Sequence, residues 1–211
     1  MMKESEPFFN FSEKTPLFLV GLFTLIHFLT LFSSVPVDHG VLRPLHQSDI
    51  GVTSHAFRLF FHGFLHANWG HLMINSVMIM VFGTAIFQGY RSNLNYESDT
   101  LKASLFFWIV FLTGVILGGI FQWIWWGFVN ASLSTGAIGA SAGAAALFST
   151  GAFVLGGKKK MYEYGFVWVG LNCIIGLIDN FFVINIAWPA HIGGYCAGAA
   201  IINTCSKKNN I

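Results

Sequence analysis

Gly136-Ala137-Ile138-Gly139-Ala140-Ser141-Ala142-Gly143-Ala144-Ala145-Ala146 is a run of very small residues inside a long apolar segment, with Ser141 as its only hydroxyl. In a bilayer such residues let helix backbones approach closely, so the run alone reads as a packing seam with one incidental serine. Two other apolar segments carry polar residues that change this reading: His66-x4-His71-x3-Asn75 and His191-x2-Gly194-x3-Gly198. Whether these three places meet decides both fold and function.

The surrounding chain fixes the solvent. Of 211 residues, 55% are hydrophobic and 9% charged, and there are 23 Phe and 7 Trp. A soluble domain carries about 25% charged residues. The expectation is an all-α integral membrane protein forming one compact helical bundle. A net charge of +2 without a basic patch gives no support for a nucleic-acid partner. Cys173, Cys196 and Cys205 are odd in number and lack metal-type spacing, so they read as free buried thiols. Glu4, Glu6 and Glu13 precede the first apolar run, which argues against a cleaved signal or transit peptide.

Six apolar spans are expected, from about Pro16 to Val35, Gly70 to Gly89, Leu105 to Trp126, Thr135 to Leu155, Tyr162 to Ile178 and Pro189 to Cys205. Each is near the ~20 residues a membrane helix needs. This divides the chain into a polar tail at 1–15, a six-helix membrane domain at 16–205 and a short tail at 206–211. His27 reads as an interhelical hydrogen bonder. Pro36 to Phe61 mixes apolar residues with Asp38, Arg43, Asp49 and Arg58 and reads as an interfacial segment. Trp108, Trp123, Trp125 and Trp126 read as interface anchors. Asp179 to Trp188 reads as a loop whose Phe181 and Phe182 cap a cavity opening outward.

With the N-terminus in the cytoplasm, Lys3, Lys14, Arg91, Lys102, Lys158, Lys159, Lys160, Lys207 and Lys208 all fall inside, and only Arg43 and Arg58 outside. That asymmetry sets the orientation, with both termini cytoplasmic. Spans two, four and six then run inward. At ~1.5 Å rise per residue, Ser141 sits on the order of 10 Å below the outer surface. His71, Asn75 and His191 come at similar or shallower depth.

Ser141 with His191 has the composition of a nucleophile and its general base, since a serine hydroxyl is weak until a nearby base takes its proton. No Asp or Glu lies in the outer half of any span, so the expectation is a dyad. Gly194 and Gly198 follow His191 on nearly one helical face, and Gly139 and Gly143 flank Ser141, so the fourth and sixth helices can touch. His71 and Asn75 share a face. Aimed at a carbonyl under attack, with the Ser141 backbone N–H, they would form an oxyanion hole. The same residues could instead be polar glue between helices. A zinc site at His62, His66 and His71 is the competing chemistry, but no Glu or other carboxylate lies nearby to activate water.

Taken together, these residues resemble the rhomboid family of intramembrane serine proteases. The resemblance spans all six segments and rests on Gly139-x-Ser141, His66-x4-His71-x3-Asn75 and Ala190-His191-x2-Gly194-x3-Gly198. It implies Ser141 as nucleophile, His191 as base, and His71, Asn75 and the Ser141 backbone as oxyanion stabilisers. Gly139 and His66 match the family's supporting positions. It also implies cleavage of single-span protein substrates within the lipid bilayer, in a bacterial inner membrane, with no metal or organic cofactor. Two departures stand out. The family's Trp-Arg pair is Phe57-Arg58 here, and the Tyr that often follows the serine by four residues is Ala145. The support of the His191 ring is therefore open. A proteolytically inactive relative that binds membrane proteins is the alternative, and a transporter would need midplane charges that are absent.

Overall fold

The computed structural model describes residues 13–47, 50–93, 100–132, 134–182 and 186–208. Seven helices occupy them: α1 Lys14–Thr30, α2 Val35–Gly40, α3 Val52–Phe61, α4 Trp69–Asn93, α5 Thr100–Val129, α6 Ser141–Phe182 and α7 Trp188–Lys208. A 3-10 turn, His62–Phe64, follows α3. Among the described residues there is no strand, only an isolated antiparallel pairing of Leu42 with Ala137. Helices α4, α5 and α6 are long and apolar enough to cross a membrane, and α1 is a shorter apolar helix. Helix α6 is broken at Gly156 (φ −167°, ψ 28°) and Gly157 (φ 67°, ψ −162°) into arms at 141–155 and 158–182. Gly157 takes a positive φ that a side chain would resist.

The partition of side chains is that of a chain solvated by lipid. Phe18, Phe32, Phe128 and Phe166 are exposed, while His27, His66, Asn75, Ser149, Thr150 and Asn172 are buried. Polar groups inside a membrane face the bundle interior, where they find partners. The apolar core gathers Phe23, Phe64, Phe107, Phe111 and Leu147 between α1, α4, α5 and the first arm of α6. Helix α3 shows the same inversion on a small scale. Its Arg58 and His55 are buried while Val52, Phe57 and Phe60 are exposed. Arg58 donates to the Val41 carbonyl at 2.8 Å, which ties α3 under the preceding loop.

Several expectations change. The fourth span starts at Ser141 and not near Thr135, because Ala137 pairs with Leu42 and Gly139 has a φ of 129°, which no helix accepts. Residues 179–182 continue α6 instead of opening a loop; the Phe181 and Phe182 side chains, like those of Arg91, Lys207 and Lys208, lie outside the described residues. All three cysteines are free but exposed, on helix faces left uncovered by the bundle. His27 is buried, yet neither ring nitrogen has a hydrogen bond; its ring instead meets Trp69 edge-on at 4.7 Å. Trp123 straps the loop after α2, donating to the Arg43 carbonyl at 2.8 Å, and Trp126 is buried.

Candidate active site

Ser141 is the first residue of α6. The Ala144 N–H donates to the Ala140 carbonyl at 2.9 Å, which is the helix's first bond. The amides of Ser141, Ala142 and Gly143 therefore lack helical acceptors, and the positive end of the helix dipole lies at the serine. The loop leading into it is clamped. Leu42 and Ala137 exchange two backbone hydrogen bonds at 3.0 and 3.1 Å, and the Gly139 N–H donates to the His62 carbonyl at 2.9 Å. Arg43 donates to the Ser134 carbonyl at 2.8 Å. A Cβ added at Gly139 would lie 2.7 Å from His71 Cε1, 2.8 Å from its Nε2 and 3.7 Å from Ser141 Oγ. Glycine there serves both the positive φ and the space, so the His71 ring rests over it beside the serine hydroxyl.

His71 lies in the first turn of α4, with its own N–H capped by Asn68 Oδ1 at 2.9 Å. The Ala67 N–H points at His71 Nδ1 from 3.5 Å, so Nδ1 accepts and Nε2, the edge against Gly139, carries the proton. Asn75 is 1% exposed and donates through Nδ2 to the His71 carbonyl at 3.1 Å, along its own helix. An amide NH₂ has a second hydrogen, so one donor remains. His66 is buried with its ring 5.3 Å from that of His71 and 5.1 Å from Phe23. Burial, aided by the charges His71 and His27 would carry, pushes the His66 ring down to about 3. His62 is likewise pushed to about 4 by burial, against the opposing carbonyls of Arg58 and Leu59. Its Nδ1 bonds the Arg58 carbonyl at 3.1 Å and its ring faces Gly119. Among the described residues no three His, Cys, Asp or Glu side chains converge as a metal site.

His191 lies in the first turn of α7. A Cβ at Gly194 would run into the Ala142 carbonyl, and one at Gly198 into the Ala146 carbonyl and Ser149 Oγ. From α5, a Cβ at Gly118 would meet Ala142 Cβ at 2.5 Å and the Ala190 carbonyl at 2.7 Å. Ala142 and Ala190 thus meet on Gly118, and their chain neighbours Ser141 and His191 rise from adjoining points. Both are partly exposed. No hydrogen bond joins Ser141 Oγ to the His191 ring; such bonds are often long before substrate binds. The other ring nitrogen is engaged, with Nδ1 2.8 Å from Asn172 Oδ1. Trp168 Nε1 donates to the His191 carbonyl at 3.2 Å. Sequence reading missed both residues. It looked for a carboxylate partner in the outer half of each span, whereas an amide within an apolar segment was the available signal.

A family model described as the rhomboid domain matches residues 53–208. Over 199 aligned positions the chain is 26% identical to an uncharacterized protein of Mycobacterium bovis, covering 87% of this chain and 71% of that one. An uncharacterized protein of Mycobacterium tuberculosis matches to the same extent.

Proposed function

Since the chain belongs to the rhomboid family, we propose that it is an intramembrane serine endopeptidase that cuts transmembrane segments of other membrane proteins with a Ser141–His191 dyad. The observation that carries this reading is the meeting of Ala142 and Ala190 on Gly118, which sets the adjoining Ser141 and His191 at one level of the bundle. His191 takes the proton of Ser141 as Oγ attacks the scissile carbonyl, then returns it to the leaving amine. The oxyanion is stabilised by the free Ser141 amide, by His71 Nε2 and by the second hydrogen of Asn75. Preorganisation favours the arrangement, because the donors sit on helix starts and a clamped loop and need no rearrangement as charge develops.

In this reading the bundle crosses the bilayer six times, through α1, α4, α5, the two arms of α6 and α7. Both termini and Lys158-Lys159-Lys160 face the cytoplasm of a bacterial cell, following the Lys and Arg asymmetry. Substrates are single-span proteins with small residues at the cut. Purified protein reconstituted in liposomes with a panel of such substrates tests the proposal. Products cut within the transmembrane segment, absent with Ser141→Ala, are expected. Intact substrate across the panel, at the level of the Ser141→Ala control, would leave the chain as a binding relative.

A further inference from the structure

We infer that Asn172 is a third, positioning member of this site: its amide fixes the tautomer and orientation of the His191 ring. The inference rests on the Ser141–His191 reading above. The two ends of the Asn172 amide are told apart by their partners. Nδ2 lies 2.9 Å from the Trp168 carbonyl oxygen, which can only accept, so the amino end points there. Oδ1 is then the atom 2.8 Å from His191 Nδ1. A carbonyl oxygen also only accepts, so Nδ1 must hold the ring proton and Nε2 must hold the free lone pair. That is the tautomer a base needs in order to take a proton from Ser141.

The surroundings make the contact a built one. Asn172 is 2% exposed, although Leu171, Cys173 and Ile174 beside it on the second arm of α6 are exposed. Burying an amide is unfavourable unless its groups are hydrogen-bonded, and both ends are. Trp168, one turn earlier, donates to the His191 carbonyl at 3.2 Å and places its ring 6.2 Å from the imidazole. Residue 191 is thus held by its backbone and its ring from two positions one turn apart. Ala145, four residues after the serine, has only a buried methyl group and cannot do this.

During acylation the Ser141 proton passes to Nε2 as Oγ bonds the scissile carbon. The resulting imidazolium donates more strongly through Nδ1 to Oδ1. Nε2 then protonates the leaving nitrogen as the C–N bond breaks. Water completes the cycle when Nε2 takes one of its protons, its oxygen displaces Oγ, and the proton returns to Ser141. Asn172 stays neutral and intact throughout; it orients the base and touches neither substrate nor the transferred proton.

Asn172→Leu and Asn172→Asp, measured beside wild type and Ser141→Ala in liposomes with a transmembrane substrate, test this. Partners that orient a metal-bound histidine are typically worth 10–100-fold, and a partner that fixes the tautomer of a catalytic histidine is worth at least as much. Asn172→Leu is expected to lose at least about 10–100-fold in kcat with KM unchanged, more than its fall in melting temperature accounts for. Asn172→Asp keeps an oxygen acceptor at the ring and is expected to recover most of the rate. Wild-type kcat in Asn172→Leu would overturn the inference. So would equal losses in both variants, or a loss that only tracks melting temperature. A wild type no more active than Ser141→Ala would overturn the proposed function itself, and the inference with it.

Discussion

The first arm of α6 is walled in, with Ala142, Ala144, Ala145, Ala146, Leu147, Ser149 and Thr150 all buried. The second arm leaves Phe166, Val167, Leu171, Ile174 and Leu177 exposed. Glycines on α5 and α7 press directly on the first arm's backbone. The second arm is held instead by side chains at a few points. Tyr195 donates to the Met161 carbonyl at 2.6 Å, Asn172 meets His191, and Trp168 packs between Phe148 and Tyr195. Ser141, the proposed nucleophile, therefore sits where α5 and α7 glycines pack against the α6 backbone with no room for a Cβ. His191, the proposed base, is steadied by hydrogen bonds from a helix arm whose remaining apolar face is uncovered.

The largest expected effect joins the two regions. Ser141→Ala and His191→Ala should each reduce cleavage to background, and the double variant should lose nothing further, because a nucleophile and its base act as a unit. Additive losses would separate them. His71→Ala and Asn75→Ala should come next, each lowering the rate by ~10²–10³ while melting temperature in detergent is kept. Unfolding in proportion to lost activity would make them structural glue instead.

The packing contrast itself is broken or sharpened by one pair of glycines. Gly194→Ala places a methyl group against the Ala142 carbonyl and should destabilise by about 1–3 kcal/mol. Gly170→Ala on the second arm meets nothing within 4 Å and should be neutral or stabilising, by up to about 1 kcal/mol. Equal melting temperatures for the two variants would erase the distinction between the arms.

The last expected effect is on pH. His62 and His66 are held neutral in the folded protein, with values near 4 and 3 against 6.5 in the unfolded chain. Below about pH 6.5 the unfolded chain binds more protons, so stability should fall steadily from there toward about pH 4 and be flat above pH 7. Thermal melts across that range check it; stability rising on acidification would contradict the burial of both rings.

The regions also differ in how legible they were. The seam could be read because tiny residues flanking a lone serine, and glycines three and seven positions after a histidine, have few uses in a membrane other than close approach. Its start could not be read. Residues 136–140 have the composition of the helix that follows, and the pairing of Ala137 with Leu42, the Gly139–His62 backbone bond and the φ of Gly139 hold them out of it. The apolar character of α4, α5 and α6 was visible from length and hydropathy alone. Asn172 was hidden because its partner, His191, lies in another helix and no spacing rule joins the two. His27 was misjudged for a related reason: the sequence shows a polar group in an apolar span but not that an aromatic ring will cover it.

The proposed function turns on Ser141 being an activated nucleophile with His191 as its base. A fluorophosphonate probe added to membranes containing the protein tests it most directly, with the labelled peptide identified by mass spectrometry and His191→Ala treated in parallel. One modified residue, Ser141, is expected in the wild type, and none in His191→Ala. An unlabelled Ser141 in folded wild-type protein, or equal labelling with and without His191, would contradict it.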